Sequence, residues 1–207
     1  MGLASSERTA LADLFAEVGP ERPTLCEGWD TGDLMSHLII RERRPDAALG
    51  QVIPFLRGHG KSVTEAIEAR PWAEQIDTLR SGPPGWNPMG WGKLEELSNG
   101  AEFFVHHEDV RRGAPGWEPR ALPTATAEAV ERILRSKFAG IITKPLGVGV
   151  TAVLPNGERI ELRSGKSTLE LHGAAPEIVL WIFGRDESRV ELVADPQTLE
   201  RVAAKRK

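Results

Sequence analysis

The stretch VGVTAVLPNG, residues 148–157, marks a change in the hydrophobic pattern of the sequence. Upstream of it, apolar residues recur with the period of an α-helix, whereas downstream they alternate as in half-buried strands. Its end, Pro155-Asn156-Gly157, is typical of a hairpin turn. Helices first and strands later indicate an α+β fold in two parts. We place their boundary near residues 143–148, which gives a helical domain over residues 1–145 and a small α+β domain over residues 146–207.

Turn and capping signals divide both parts into elements. Gly19-Pro20 ends a first helix, Asp30 or Thr31 is the N-cap of a second, and Pro71 either kinks a third or divides it in two. The predicted helices run through Leu11–Val18, from Trp29–Thr31 past Arg41, and through Ser62–Leu79, Met89–Arg112 and Thr124–Ile142. The predicted strands are Val148–Leu154, Arg159–Leu162, Ser167–Leu171 and Arg189–Val193, and Glu177–Phe183 fits either a helix or a strand.

The amino-acid composition of the chain argues against several classes of binding partner. The 207 residues carry a formal net charge of −4, so there is no basic surplus to hold nucleic acid by its phosphates. The single cysteine, Cys26, excludes an internal disulfide and suits a reducing compartment. The first residues lack the pattern of a secretory signal, and no apolar run approaches the roughly eighteen residues of a membrane span. We therefore expect a cytoplasmic protein with a small-molecule substrate, no nucleic-acid partner and no membrane partner.

Glu102, His106 and Asp109 form the first motif that could carry chemistry. A spacing of four and then three residues puts all three on one face of the predicted helix. Asp109 could then accept a hydrogen bond from one imidazole nitrogen and leave the other for a ligand. A Glu and a His at this spacing are also common by chance, so a solvated pair is the competing interpretation.

His37 favours the interpretation of Glu102 and His106 as metal ligands. It lies on the apolar stripe of the second helix, between Leu34 and Leu38. An inward-facing His is most often a hydrogen-bonded core residue, but a facing helix that carries Glu102 and His106 would supply further metal ligands. Two imidazoles and one carboxylate leave coordination positions open, as in catalytic zinc sites, and the same set suits iron(II) or nickel.

These segments resemble a known family. The run Leu25-Cys26-Glu27-Gly28-Trp29, with Asp33-Leu34 and His37-Leu38 after it and Glu102-x-x-x-His106-x-x-Asp109 further on, is similar to the DinB-like metal-binding superfamily. Within it, the resemblance is to the mycothiol-dependent maleylpyruvate isomerase group, and specifically to a metal-binding subset of that group. It implies a DinB-like four-helix bundle whose metal is held by His37, Glu102 and His106, followed by a small C-terminal α+β domain.

Two arginines are candidates for binding substrate. Arg185 matches an arginine that such proteins can bring near the metal from the second domain; the alternative is an Arg that caps a helix C-terminus beside Gly184. Arg41 lies one turn after His37 and could hold an anionic substrate; the alternative is a solvated charged face.

The leading functional hypothesis is a metal-dependent thiol transferase or isomerase that acts on a small electrophilic or anionic substrate. Zinc is the expected metal, nickel and iron are alternatives, and mycothiol is the kind of thiol that the resemblance implies. We expect Cys26 to be a small buried residue rather than a nucleophile. The alternatives are a non-enzymatic metal- or small-ligand-binding protein and a helical interaction module with incidental histidines. Monomer and homodimer both remain open.

Overall fold

The computed structural model describes residues 2–48, 57–86 and 98–206, and the chain separates into two compact units, Met1–Trp117 and Glu118–Lys207. In the first unit, the described helices are α1 (Leu3–Val18), α2 (Thr31–Arg43), α3 (Pro45–Ala48), α4 (Arg57–Glu68), α5 (Trp72–Arg80) and α6 (Gly100–Arg112). The second unit contains α7 (Thr124–Leu134), α8 (Lys137–Ile142), β1 (Gly149–Val153), β2 (Arg159–Arg163), β3 (Thr168–His172), α9 (Ala175–Ile182), β4 (Glu191–Val193) and α10 (Pro196–Lys205).

This division differs from the boundary predicted at residues 145/146. Helices α7 and α8 belong to the second unit, where α7 packs against α9 and α8 against β2. The helical period of residues 124–142 indicated an apolar face but carried no information about the element that covers it. The prediction also merged two helices, which are separated at Arg135 and Ser136.

The core of the first unit lies among α1, α2, α4, α5 and α6. Helix α1 packs against α5 and α6, and α2 packs against α4 and α5. Their fully buried side chains include Leu11, Phe15, Leu34, Leu38 and Phe103. The segment Ser62–Leu79 resolves as α4 and α5 on either side of Pro71. The part of Met89–Arg112 before Ser98 lies outside the described residues, and the four-helix bundle stays a prediction.

The start of α2 fixes the position of His37 along the helix. Asp30 is the N-cap: its Oδ1 accepts hydrogen bonds from the backbone N–H groups of Gly32 at 2.8 Å and Asp33 at 3.0 Å. Asp33 Oδ2 accepts in return from the Asp30 N–H at 3.1 Å. This reciprocal capping satisfies backbone donors that a helix start otherwise leaves unpaired, so α2 begins at Thr31.

A buried ion pair and a buried carboxylate–imidazole contact tie α1 to its neighbours. Arg8 Nη2 donates to Glu42 Oε1 at 2.6 Å, and the Arg8 guanidinium lies 4.5 Å from the centre of the Phe103 ring. Glu7 Oε2 lies 2.9 Å from Nδ1 of His107. Buried charges are tolerated only when they are paired, so these contacts specify how α1 docks against α2 and α6.

The second unit is built on a four-stranded sheet in the order β2-β1-β3-β4. β1 pairs antiparallel with β2 and parallel with β3, and β3 pairs antiparallel with β4. The predicted hairpin between β1 and β2 is present. Gly157 in its turn has a φ of 83°, a backbone conformation that residues with a side chain rarely adopt. The ambiguous segment Glu177–Phe183 contains α9, which ends at Ile182. In the described part of the chain, we find no helix with the length and apolarity of a membrane span.

Candidate metal centre

The structure brings the three predicted ligands together where α2 faces α6. Glu102 Oε1 lies 3.4 Å from Nε2 of His37 and 3.1 Å from Nε2 of His106. One ligand atom from each of the three residues lies within 4.8 Å of the other two. Zinc ligands about 2.1 Å from the metal are roughly 3.4 Å apart at a tetrahedral angle. The separations therefore fit a shared cation with only small side-chain movements.

Asp109 lies behind His106, as the spacing predicts. Its Oδ2 is 2.8 Å from Nδ1 of His106, and the residue is fully buried. A carboxylate on one imidazole nitrogen selects the tautomer and orients the ring for metal binding through the other nitrogen. That other nitrogen, Nε2, is the one that faces Glu102. The donor set and its support thus fit a divalent cation.

The surroundings of Glu102 and His106 favour the ionised carboxylate of the first and the protonated imidazole of the second. Burial would raise the pKa of Glu102, but hydrogen bonds from His106 and His37 and the charges of His106 and Arg41 bring it below its usual range. Burial would lower the pKa of His106, but contacts with Asp109, Cys26 and Glu102 raise it well above its usual value. At neutral pH a carboxylate therefore faces an imidazolium, and the Nε2 proton lies where a cation would bind.

Arg41 reaches this centre and bonds to protein groups there. Its side chain is 19 % exposed, and its Nε lies 3.4 Å from Glu102 Oε1. Nη1 donates to Asn99 Oδ1, and Nη2 donates to Ser98 Oγ at 3.2 Å. The solvated-face alternative is therefore wrong for Arg41, whereas its role in binding substrate stays a prediction. Sequence reasoning missed Ser98 and Asn99, because no motif marks them.

Arg185 belongs to the second unit. Its Nη1 donates to the carbonyl oxygen of Phe183 at 2.6 Å, just after the end of α9. This is the contact that the capping alternative predicts. A role for Arg185 toward a substrate stays a prediction.

Cys26 lies against the same centre, which the sequence did not indicate. Its Sγ donates to Asp109 Oδ2 at 3.3 Å and lies 3.9 Å from Nδ1 of His106. Cys26 is half-buried and, with His106 and Asp109, forms a second set of possible ligands. The contact joins residues 80 positions or more apart in the sequence, beyond the reach of any local pattern.

A short loop between α1 and α2 places Cys26 against His106 and Trp29 against His37. The Leu25 N–H donates to the carbonyl oxygen of Asp109 at 3.1 Å, and the Trp29 N–H donates to that of Cys26 at 2.9 Å. The Trp29 and His37 rings are 5.2 Å apart. This loop therefore contacts both histidines of the centre, His37 on α2 and His106 on α6.

Gly113 allows this loop to approach the end of α6. A Cβ atom at Gly113 would lie 2.1 Å from the carbonyl oxygen of Pro23 and 2.7 Å from the Cα of Thr24. The backbone of Gly113 has ordinary helical dihedral angles, with φ −64° and ψ −12°. Close contact, rather than conformation, therefore requires glycine here.

A cleft of about 130 Å³ opens beside His37. Its walls combine the indole of Trp29 with the carboxylates of Asp33 and Glu68. Burial and neighbouring carboxylates, Asp33 first among them, raise the pKa of Glu68. The complete lining is Trp29, Asp33, Ser36, His37, Ile40, Thr64 and Glu68. This side of the centre is therefore acidic.

Comparison with known proteins identifies the fold. No family model and no curated protein sequence matches the chain. The crystal structure of the mycothiol-dependent maleylpyruvate isomerase is similar, with a TM-score of 0.54 and 13 % identity over 92 % of this chain and 88 % of that one. A histidine-to-alanine mutant of that isomerase gives a TM-score of 0.53 and 14 % identity over the same shares. At this identity the likeness shows only that the chain shares the fold of that isomerase, and membership of the DinB-like superfamily stays a prediction.

Proposed function

We propose that this protein is a divalent-metal-dependent enzyme that uses a small thiol of the mycothiol kind to transfer or isomerise a small electrophilic substrate. The observation that carries the proposal is the convergence of His37, Glu102 and His106, with Asp109 behind His106, in a chain with the fold of a mycothiol-dependent isomerase. Zinc is the favoured ion because three histidine and carboxylate ligands with an open position are typical of catalytic zinc sites. The proposal includes the four-helix bundle for the first unit.

The number and exposure of the ligands favour a catalytic role for the metal. Structural zinc sites are usually closed by four protein ligands, whereas catalytic sites keep a position for water or substrate. His37 and Glu102 keep 21 % and 23 % of their side-chain surface exposed. When bound, a divalent cation acts as a Lewis acid that lowers the pKa of a coordinated thiol.

The protein's own residues would prepare the site. Arg41 and the two histidines keep Glu102 ionised, so the carboxylate is ready to bind a cation. Asp109 holds the ring of His106 by its Nδ1. The acidic cleft beside His37 supports an electrophilic substrate over an anionic one on that side, because carboxylates repel anions.

The thiol is proposed to come from a small molecule. Cys26 is the only cysteine of the sequence, and its Sγ is hydrogen-bonded to Asp109 rather than directed at the Glu102 side of His106. This arrangement supports an external thiol nucleophile.

Elemental analysis and a thiol-dependence assay test the proposal. We expect about one zinc per chain in the wild type and none in His37→Ala or His106→Ala. His59→Ala is the matched control, because His59 pairs with Asp46 at an exposed site and belongs to neither candidate ligand set. Activity toward candidate electrophiles should require both thiol and metal. A metal-free protein with no uptake of zinc would overturn the proposal and favour the interaction module.

The contacts of Arg41 favour a second candidate, a non-enzymatic metal- or small-ligand-binding protein on the same fold. The guanidinium that was expected to hold substrate is bonded to Ser98, Asn99 and Glu102. Stoichiometric zinc without thiol-dependent turnover of any electrophile would support this candidate.

A further inference from the structure

We propose that Cys26 is a positioning residue of the metal centre: its thiol holds the Asp109 carboxylate in place, and Asp109 in turn holds His106. This inference rests on the proposed function, since it concerns the same centre. It assigns the protein's single cysteine a role as a hydrogen-bond donor.

The Asp109 carboxylate accepts hydrogen bonds from two side chains. Its Oδ2 accepts from Nδ1 of His106 at 2.8 Å and from Sγ of Cys26 at 3.3 Å. Asp109 is completely buried. A buried carboxylate without enough donors loses stability and tends to reorient toward whatever donor it can find. The thiol therefore favours the carboxylate position from which Asp109 orients His106.

The side of the ring that Cys26 faces distinguishes positioning from ligation. Sγ lies 3.9 Å from Nδ1 of His106, whereas Nε2 of the same ring faces Glu102 at 3.1 Å. The two nitrogens lie on different edges of an imidazole ring. A cation shared by His37, Glu102 and Nε2 thus has the ring of His106 between itself and the thiol.

The loop that carries Cys26 is held firmly enough to position another residue. Its Leu25 N–H donates to the backbone of Asp109, the residue that the thiol contacts. Gly113, four residues after Asp109, lets Pro23 and Thr24 pack directly on the end of α6. Groups that orient a ligand act well only when their own geometry is fixed, and both ends of this contact meet that condition.

Two substitutions separate the hydrogen bond from simple packing. Cys26→Val keeps an apolar side chain of similar size but cannot donate, whereas Cys26→Ser keeps a donor. Zinc affinity, measured by competition with a chelator, should fall about tenfold in Cys26→Val, the lower end of the range for groups that support metal ligands. Cys26→Ser should retain most of the affinity, and circular dichroism confirms that each variant folds. Equal losses in both variants would overturn the proposal.

A double-substitution cycle tests whether Cys26 acts through Asp109. In an Asp109→Asn background, Cys26→Val should have no additional effect on zinc affinity, because the carboxylate it positions is gone. A purely structural effect would instead add to that of Asp109→Asn. The cobalt(II)-loaded wild type should lack a sulfur-to-metal charge-transfer band, and such a band would make Cys26 a ligand and contradict the proposal.

The metal-free protein provides a readout that does not depend on the proposed function. Nitrogen-15 NMR of the His106 imidazole should show a protected Nδ1–H in the wild type and in Cys26→Ser, and loss of that protection in Cys26→Val. If the wild type takes up no zinc, the proposed function fails while this measurement still decides the role of Cys26. Unchanged Nδ1–H protection in Cys26→Val would overturn the inference.

Discussion

Nδ1 of His106 lies 2.8 Å from Oδ2 of Asp109, and this contact determines which imidazole nitrogen is left for a cation. The hydrogen-bonded nitrogen keeps its proton, so only Nε2 can become a ligand. Nε2 is directed at Glu102, whose Oε1 also faces His37. A single buried carboxylate thereby orients the candidate centre.

Asp109→Asn should weaken zinc binding by roughly 10–100-fold, the usual effect of removing a carboxylate that supports a histidine ligand. His106→Ala should abolish binding because a ligand is lost. Asp46→Asn is the matched control, since Asp46 pairs with His59 and Arg44 at exposed positions. Chelator competition measures all three. Wild-type affinity in Asp109→Asn would contradict the orienting role.

Zinc uptake should release a proton and strengthen as the pH rises. The raised pKa of His106 means that its imidazole is protonated on both nitrogens in the metal-free protein, and zinc must displace the Nε2 proton. Isothermal titration in buffers with different ionisation enthalpies would count the released protons. No proton release at pH 7 would contradict a raised pKa for His106.

The His106 imidazole should also make the stability of the metal-free protein depend on pH. Because the pKa of His106 is raised on folding, its stabilising contribution is complete below its unfolded value of about 6.5 and is lost as the pH rises through the folded value. His106→Gln should remove this dependence above pH 6.5, and His59→Gln should not. Urea unfolding at several pH values provides the test.

Arg8→Met should destabilise the protein by about 3–5 kcal/mol, because it removes the guanidinium that pairs with the buried Glu42 carboxylate at 2.6 Å. Burial already raises the pKa of Glu42 despite the nearby Arg8. The double variant Arg8→Met/Glu42→Met should recover most of the loss, since apolar pairs often replace buried ion pairs. Urea unfolding measures both variants.

An exposed pair is the control for that experiment. Arg80 lies 2.6 Å from Asp13, but the two side chains are 42 % and 65 % exposed. Arg80→Met should therefore change the free energy of unfolding by no more than about 1 kcal/mol. A loss in Arg80→Met as large as that in Arg8→Met would mean that burial is not the cause.

Gly113→Ala should destabilise the protein by roughly 1–3 kcal/mol, because the new methyl group would overlap the Pro23 carbonyl. It should also weaken zinc binding by displacing the loop that carries Cys26. Gly58→Ala in α4 is the control, since an added Cβ there has no atom within 4 Å. A crystal structure or chemical-shift mapping would locate the displaced loop.

Removal of the metal should leave the first unit folded. Its core of Leu11, Phe15, Leu34 and Leu38 is apolar and fully buried, so hydrophobic burial should hold these helices together. Chelator should lower the melting temperature only by mass action, since metal at a hundredfold excess over Kd adds about 3 kcal/mol to the free energy of unfolding. The helical circular dichroism signal should persist at 25 °C. Its collapse on chelation would assign the metal a structural role.

The local geometry of the site could be predicted because a helix has a fixed repeat. Glu102, His106 and Asp109 are separated by four and three residues, which places them on one face of α6 wherever that helix packs. Asp30 or Thr31 was likewise predicted as the N-cap of α2, and Asp30 takes that position, because capping depends on residues only a few positions apart. The hairpin at Pro155-Asn156-Gly157 was predictable for the same reason.

The element that packs against the apolar face of each helix was not predictable in this way. The same amphipathic period describes α2, which helps to form the centre, and α7, which packs against α9 in the other unit. The predicted boundary near residues 143–148 therefore differs from the division of the compact units between Trp117 and Glu118. Periodicity reports that a face is buried and does not report what buries it.

The sequence by itself determined the helical spacing of Glu102, His106 and Asp109 and the change from helices to strands, because both are set by local backbone geometry. The tertiary structure alone decided that Cys26 reaches Asp109 and that Arg41 bonds to Ser98 and Asn99. Those contacts join residues more than fifty positions apart, and they form only when the packing of the helices and the close approach at Gly113 bring distant segments together.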